Sequence, residues 1–176
     1  FERSDKIILE VNSWQDARLE GMHDIISVPS EHGKRVALPI NAADDRKGST
    51  VWKFDISKVV AVVETNNADR NAPFKPPEEI HKKIAQHILA FFDAEVKAGR
   101  LSKHLNPLQS GVGNIANAVL VGLNEGPFEK MISYTEVIQD GMLDMLDSGK
   151  LTAASATAFS VSPEGQVRFN KNIDRY

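Results

Sequence analysis

Short β-branched runs alternate along the chain with longer segments in which apolar residues recur at helical spacing. Residues 6–11 (Lys-Ile-Ile-Leu-Glu-Val), followed by Asn12 and Ser13, read as a mostly buried strand. From 12 to 50 only two short apolar pieces occur, at 23–28 and 35–40. They sit among Pro29, Gly33 and Pro39, which predicts an irregular or edge-strand region. Residues 58–64 carry apolar side chains on both pleat faces, the pattern of a strand covered on both sides. That strand runs into the polar stretch 65–71 at its carboxyl end, where open α/β sheets tend to seat ligands.

Pro73, Pro76 and Pro77 interrupt regular structure, and Pro77 with Glu78 and Glu79 makes a favourable first helical turn. Ile80, Ile84, Ile88, Phe91, Phe92 and Val96 then keep helical spacing up to Gly99, predicting an amphipathic helix. Its length is about six turns. Beyond it the order becomes strand (105–109), glycine loop (110–114) and helix (115–123). The order then repeats as strand (131–134), loop (135–140), helix (141–147) and strand (152–160). This alternation predicts an α/β protein with mixed to largely parallel sheets and flanking helices.

Composition narrows the function classes. Of 176 residues, 41% are hydrophobic and 26% charged, close to the averages for globular proteins, so disorder, collagen and coiled coil are excluded. A formal net charge of −3 gives no general attraction to phosphate backbones or anionic membranes, so neither nucleic acid nor membrane is an expected partner. No apolar run approaches the ~20 residues needed to span a bilayer. The chain has no cysteine, which removes disulfides, thiolate nucleophiles and cysteine-ligated zinc together. The five histidines (His23, His32, His81, His87, His104) match no metal-ligand spacing and are expected to be structural or surface groups. The chain begins at Phe1 with neither an initiator methionine nor a signal-peptide pattern, so its start is expected to be processed or truncated.

Three places could carry chemistry. Ser110-Gly111-Val112-Gly113-Asn114 links a strand to a helix, where free backbone amides can bind an anion or oxyanion; it lacks the GK[ST] ending of a Walker loop and is not a full GxGxxG. The same spacing also suits a plain tight turn. Glu136 lies just past a short strand and before a helix, and an ionised carboxylate needs no base to act as a nucleophile on an activated acyl group. The competing role is a helix-capping or salt-bridged carboxylate. Arg70, beside Asp69 at the end of a buried strand, could hold a substrate carboxylate in its guanidinium fork or serve in a structural ion pair.

The runs Pro107-Leu108-Gln109-Ser110-Gly111-Val112-Gly113-Asn114-Ile115-Ala116-Asn117-Ala118-Val119 and Tyr134-Thr135-Glu136-Val137-Ile138-Gln139-Asp140-Gly141 resemble the acetyl-CoA hydrolase/transferase family, more narrowly its succinyl-CoA:acetate CoA-transferase branch. Shorter stretches at 19–24, 63–71 and 169–174 add to the likeness, which extends over essentially the whole chain. The resemblance implies an incomplete class I CoA-transferase (NagB/RpiA-like) fold. The implied order is the C-terminal part of a first domain at 1–76, a connecting helix at 77–104 and the N-terminal part of a second domain at 105–176. It implies Glu136 as the catalytic glutamate, Val112 as an oxyanion-hole amide, Arg70 as the active-site arginine, and Gly111, Gly113 and Asn114 as coenzyme A-binding positions. Glu136 follows Val112 by 24 residues, a separation that fits the family's arrangement.

The implied activity is transfer of coenzyme A between acetyl-CoA or succinyl-CoA and a small carboxylate such as acetate, through a glutamyl-CoA thioester. The alternatives are an acetyl-CoA hydrolase and a non-catalytic CoA-binding module. Coenzyme A would be a substrate, with no tightly bound cofactor and no metal. The full-length protein is expected to be a homodimer in the cytoplasm or mitochondrion. The family's active-site asparagine, its GSGD-type loop and a second glutamate have no counterpart here. The chain is therefore expected to be an internal piece, inactive by itself.

Overall fold

The computed structural model describes residues 1, 3–28, 33–34, 36–70 and 76–176. His32, Pro29, Arg35, Asn71 and Pro73, which the sequence reading used, lie outside the described residues. The chain forms two compact units, the first from 1–40, 45–70 and 173–175, the second from 41–44, 71–172 and Tyr176.

In the first unit, strand β1 (Ile7–Asn12) pairs in parallel with β2 (Val59–Thr65), with Ile8 opposite Ala61 and Asn12 opposite Thr65. Both strands fall within a residue or two of their predicted positions, because β-branched runs bounded by polar turns have few other low-energy conformations. Their expected burial is not found. Ile7 is buried, but Val60, Val62 and Val63 of β2 are about half exposed, so the apolar pattern marks faces suited to being covered without covering them within this chain. The described residues of the intervening region are irregular, as predicted, apart from short 3-10 turns and an antiparallel bridge between Ile25 and Ser49. Asp16 caps a short 3-10 turn (Ala17–Leu19) by accepting from the Arg18 N–H. The Arg18 guanidinium hydrogen-bonded to that carboxylate holds its pKa down to about 2.

The second unit holds α1 (Glu79–Lys97), α2 (Asn114–Glu125), β3 (Met131–Tyr134), β4 (Val137–Ile138), α3 (Asp140–Asp147), β5 (Leu151–Ser155), β6 (Ala158–Phe159) and α4 (Pro163–Lys171). Strands β3 and β5 pair in parallel, as do β4 and β6, so every strand pair described is parallel, matching the α/β expectation. The core is made by Leu120 and Leu123 of α2, Met131 of β3, Met142, Leu143 and Met145 of α3, Leu151 of β5, and Phe169 of α4, all at most 3% exposed.

Four local expectations are corrected. Residues 105–109 form no strand but a single parallel bridge, Leu108 to Ser133, because the next groups of the ladder bond to side chains instead: Ile132 N–H donates to Asn106 Oδ1 at 2.7 Å and Ser110 N–H to the Thr135 hydroxyl at 3.3 Å. The loop at 135–140 contains β4, and the strand expected at 152–160 divides into β5 and β6 around Ala156 and Thr157. Helix α4 was not anticipated, although its start is legible: Ser162 accepts from the Gly165 N–H at 3.0 Å, Pro163 occupies the first turn, and Glu164 follows. The Ser162 hydroxyl also donates to Asp140 Oδ1 at 2.8 Å, tying the start of α4 to that of α3. Ser162→Ala is expected to lower the unfolding free energy by about 1 kcal/mol, read as a shift in denaturation midpoint at unchanged m-value.

Candidate functional site

The loop Ser110-Gly111-Val112-Gly113 leads directly into α2. Gly113 is the residue before the helix and has φ 143°, a backbone conformation open to glycine and strained for other residues. Because glycine has no side chain, no side-chain cap hydrogen bond closes the start of α2. The first-turn amides of Asn114 and its neighbours therefore lack the usual side-chain acceptor, which favours an anionic group at this point. Gly111 and Val112 are exposed, and a Cβ placed on Gly111 or Gly113 would meet nothing within 4 Å. Beside the loop, a cavity of about 660 Å³ is bordered by Ile88, Phe92 and Val119 as well as the loop itself.

Glu136 lies between β3 and β4, and its side chain is exposed. Period-two alternation explains this: Ser133 and Thr135 turn inward and are buried, while Tyr134 and Glu136 turn outward. Glu136 does not cap α3, since Gln139 holds the position before that helix. Its main chain is held instead, with the Glu136 carbonyl accepting from the Thr157 hydroxyl at 2.7 Å and from the Thr157 N–H at 3.0 Å. On the other side, the segment leading into the glycine loop runs along β3. Leu108 N–H donates to the Ile132 carbonyl and Tyr134 N–H to the Leu108 carbonyl, each at 2.8 Å. Thr135 hydroxyl donates to the Ser110 carbonyl at 2.9 Å, and Ser110 N–H donates back to that hydroxyl at 3.3 Å. Leu108 opposite Ser133 and Ser110 bonded to Thr135 hold the two segments side by side up to the residues before Gly111 and Glu136.

The second unit thus carries Glu136 and, on the neighbouring segment, Gly111, Val112, Gly113 and Asn114. Arg70 belongs to the first unit and is exposed, which removes the buried structural ion pair as its role. Its neighbour Asp69 accepts from Gln15 Nε2 at 3.1 Å, and Asn67 is bonded in both directions to Asn12, so the end of β2 is stapled to the end of β1. Of the described histidines, His81 accepts the Glu78 N–H at 3.0 Å at the start of α1, and His104 Nδ1 lies 2.8 Å from the Glu129 carbonyl. Thr135, Gln139 and Thr157 were assigned no role from sequence. The legible signal was their spacing, one and three residues from Glu136 for the first two, but which atoms they hold depends on the fold.

The chain is 43% identical over 176 residues to an acetyl-CoA hydrolase of Schizosaccharomyces pombe, covering 100% of this chain and 33% of that protein. It is 44% identical over the same length to an acetyl-CoA hydrolase of Neurospora crassa, again 100% of this chain and 33% of the relative. It is 40% identical over 173 residues to a succinyl-CoA:acetate CoA-transferase of Clostridium kluyveri, covering 98% of this chain and 32% of that one. The chain therefore spans about a third of the length of the curated relatives it matches. Among solved structures, a 4-hydroxybutyrate CoA-transferase from Porphyromonas gingivalis aligns with a TM-score of 0.53 at 20% identity, covering 68% of this chain and 30% of that one, a likeness of fold. No family model matches the chain. Matched over at least 98% of its own length at 40–44% identity, the chain is homologous to about a third of each of these acetyl-CoA hydrolases and of the CoA-transferase.

Proposed function

We propose that this chain supplies the nucleophile and part of the oxyanion site of an enzyme that moves coenzyme A between an acyl-CoA and a small carboxylate. The observation that supports the reading is the pairing of Leu108 with Ser133 and of Ser110 with Thr135, which ends one residue before Gly111 and exposed Glu136, with the uncapped start of α2 following at Asn114. Names of the relatives, acetyl-CoA hydrolase and succinyl-CoA:acetate CoA-transferase, supply the substrate class.

A carboxylate oxygen of Glu136 attacks the thioester carbonyl, and the resulting oxyanion is held by amides aimed at it, Val112 N–H among them. Collapse breaks the C–S bond, releases the coenzyme A thiolate and leaves a mixed anhydride on Glu136. The thiolate then attacks the glutamyl carbonyl, expelling the original carboxylate and forming a glutamyl-CoA thioester. An acceptor carboxylate runs the same steps backward and departs as the new acyl-CoA. Two covalent half-reactions conserve the thioester's free energy, and coenzyme A enters and leaves as a substrate. Arg70 takes the role of a guanidinium that fixes a carboxylate, and Gly111, Gly113 and Asn114 offer the space and donors against the thioester.

The hydrolase reading stands beside it because two of the three curated relatives named above carry that name. Water reaching the anhydride or the thioester would drain either intermediate, so the two activities differ in water exclusion. Incubating the full-length protein with acetyl-CoA is expected to leave a coenzyme A-derived mass on the peptide carrying Glu136; its absence overturns the nucleophile assignment. Free coenzyme A release measured with and without added acetate separates the two activities, since a transferase needs the acceptor and a hydrolase does not.

A further inference from the structure

Gln139 is fully buried, an unusual place for an amide, and only part of its hydrogen-bonding capacity is used. Its Nε2 donates to the Gly111 carbonyl at 2.9 Å, while its Oε1 has no partner among the described residues. A buried acceptor left unpaired is destabilising, so a thioether side chain of similar volume would fill this position at lower free-energy cost. What the amide contributes is its grip on Gly111.

That grip has a directional consequence. The Gly111 carbonyl and the Val112 N–H belong to one peptide unit, which is planar and trans, so the two point in opposite directions. With the carbonyl drawn inward onto buried Gln139, the Val112 N–H is turned outward, on the exposed side of the loop. Thr135 fixes the preceding residue, holding both the N–H and the carbonyl of Ser110. Thr135 and Gln139 also bracket Glu136 in sequence, so one short segment sets both the carboxylate and the loop.

We propose that Gln139 is a positioning residue that aims the Val112 amide at the oxyanion, with Thr135 fixing the loop's register on Glu136. This rests on the reading of Glu136 as nucleophile and Val112 as oxyanion donor. Without the grip, the carbonyl keeps the longer bond from the neighbouring Ser110 hydroxyl at 3.3 Å, which moves with the loop, so the peptide unit can rotate and the exposed Gly111 can give its carbonyl to water. The fold is then spared and the amide's aim is lost.

The test uses the full-length protein in rapid-quench experiments with acetyl-CoA, following the coenzyme A adduct on the Glu136 peptide by mass. Gln139→Met is expected to melt at or above the parent temperature yet form the adduct about 10- to 100-fold more slowly, because misdirecting one oxyanion donor costs up to what removing it does. The loss should fall on kcat and kcat/KM equally, with KM unchanged, the mark of an interaction made only in the transition state. Thr135→Ser, which keeps the hydroxyl, should match the parent, and Thr135→Val, which keeps the shape, should be slow. Adduct formation at the parent rate in Gln139→Met overturns the proposal. So does a slowing that tracks a fall in melting temperature or a rise in KM, or a Thr135→Ser as slow as Thr135→Val. A parent protein that forms no adduct on Glu136 refutes the underlying nucleophile reading instead, and this one with it.

Discussion

Replacing Glu136 with glutamine in the full-length protein is expected to remove coenzyme A transfer, lowering kcat by on the order of 10⁴-fold or more, as loss of a covalent nucleophile does. An amide keeps the size and polarity of the side chain but cannot attack a thioester to give an anhydride. The substitution should leave the fold intact: the side chain is exposed, and the segment is held through the Glu136 carbonyl by Thr157. Substitutions at such surface positions are usually within about 0.5 kcal/mol of neutral. Glu136→Asp is the finer version, since it keeps the carboxylate and withdraws it by one methylene. A misplacement of about 1 Å can cost roughly 100-fold, so this variant should sit between parent and Glu136→Gln. Adduct mass and steady-state rate measured together decide the matter. A Glu136→Gln protein that turns over at the parent rate would assign the chemistry elsewhere, and one that still binds acyl-CoA without turnover would separate binding from catalysis.

The largest stability effect is expected at Phe169. It is 1% exposed, with its ring centroid 4.7 Å from that of Phe159 and 5.4 Å from that of Tyr176. Phe169→Ala removes a fully buried ring and leaves a cavity, a change worth about 3–5 kcal/mol. Against a typical domain stability of about 5–15 kcal/mol, that is a large fraction of the whole. Hydrogen exchange at the amides of β3 and α3 is the direct measurement, because it reports the opening of this unit by itself. Val167 lies on the same helix and is 65% exposed, so Val167→Ala serves as the control and should be close to neutral. Equal effects at the two positions would mean that α4 does not pack as described.

How far the sequence is legible varies along the chain for identifiable reasons. Helix α1 begins and ends within two residues of expectation because Ile84, Ile88, Phe92 and Val96 recur at a period only a helix satisfies. Strand β3 was placed to the residue, since Ile132 and Tyr134 favour extended structure and turn signals lie on either side. Strand β4 has two residues and exists only because β6 lies beside it, so no local pattern could have announced it. In the same way 152–160 reads as one extended run. In the folded chain, the run breaks where Thr157 turns to hold the Glu136 carbonyl. Helix α4 was missed because its apolar stripe is thin, with Val167 exposed and Phe169 carrying most of the burial, even though its start signal was present.

By itself the sequence determined the α/β class, the place of the glycine loop before α2, and the place of Glu136 at the carboxyl end of a strand. These are local matters, set by side-chain periodicity, by glycine's freedom at Gly113 and by which residues can end a strand. The resemblance of two runs added the family. Only the tertiary structure decided that Thr135 holds Ser110, that Gln139 holds the Gly111 carbonyl, and that Arg70 is exposed. Those depend on pairing between segments some 25 residues apart, as in Leu108 with Ser133. Which partner a backbone group finds is fixed by the packing of the whole unit, and a linear pattern of polar and apolar residues carries no record of it.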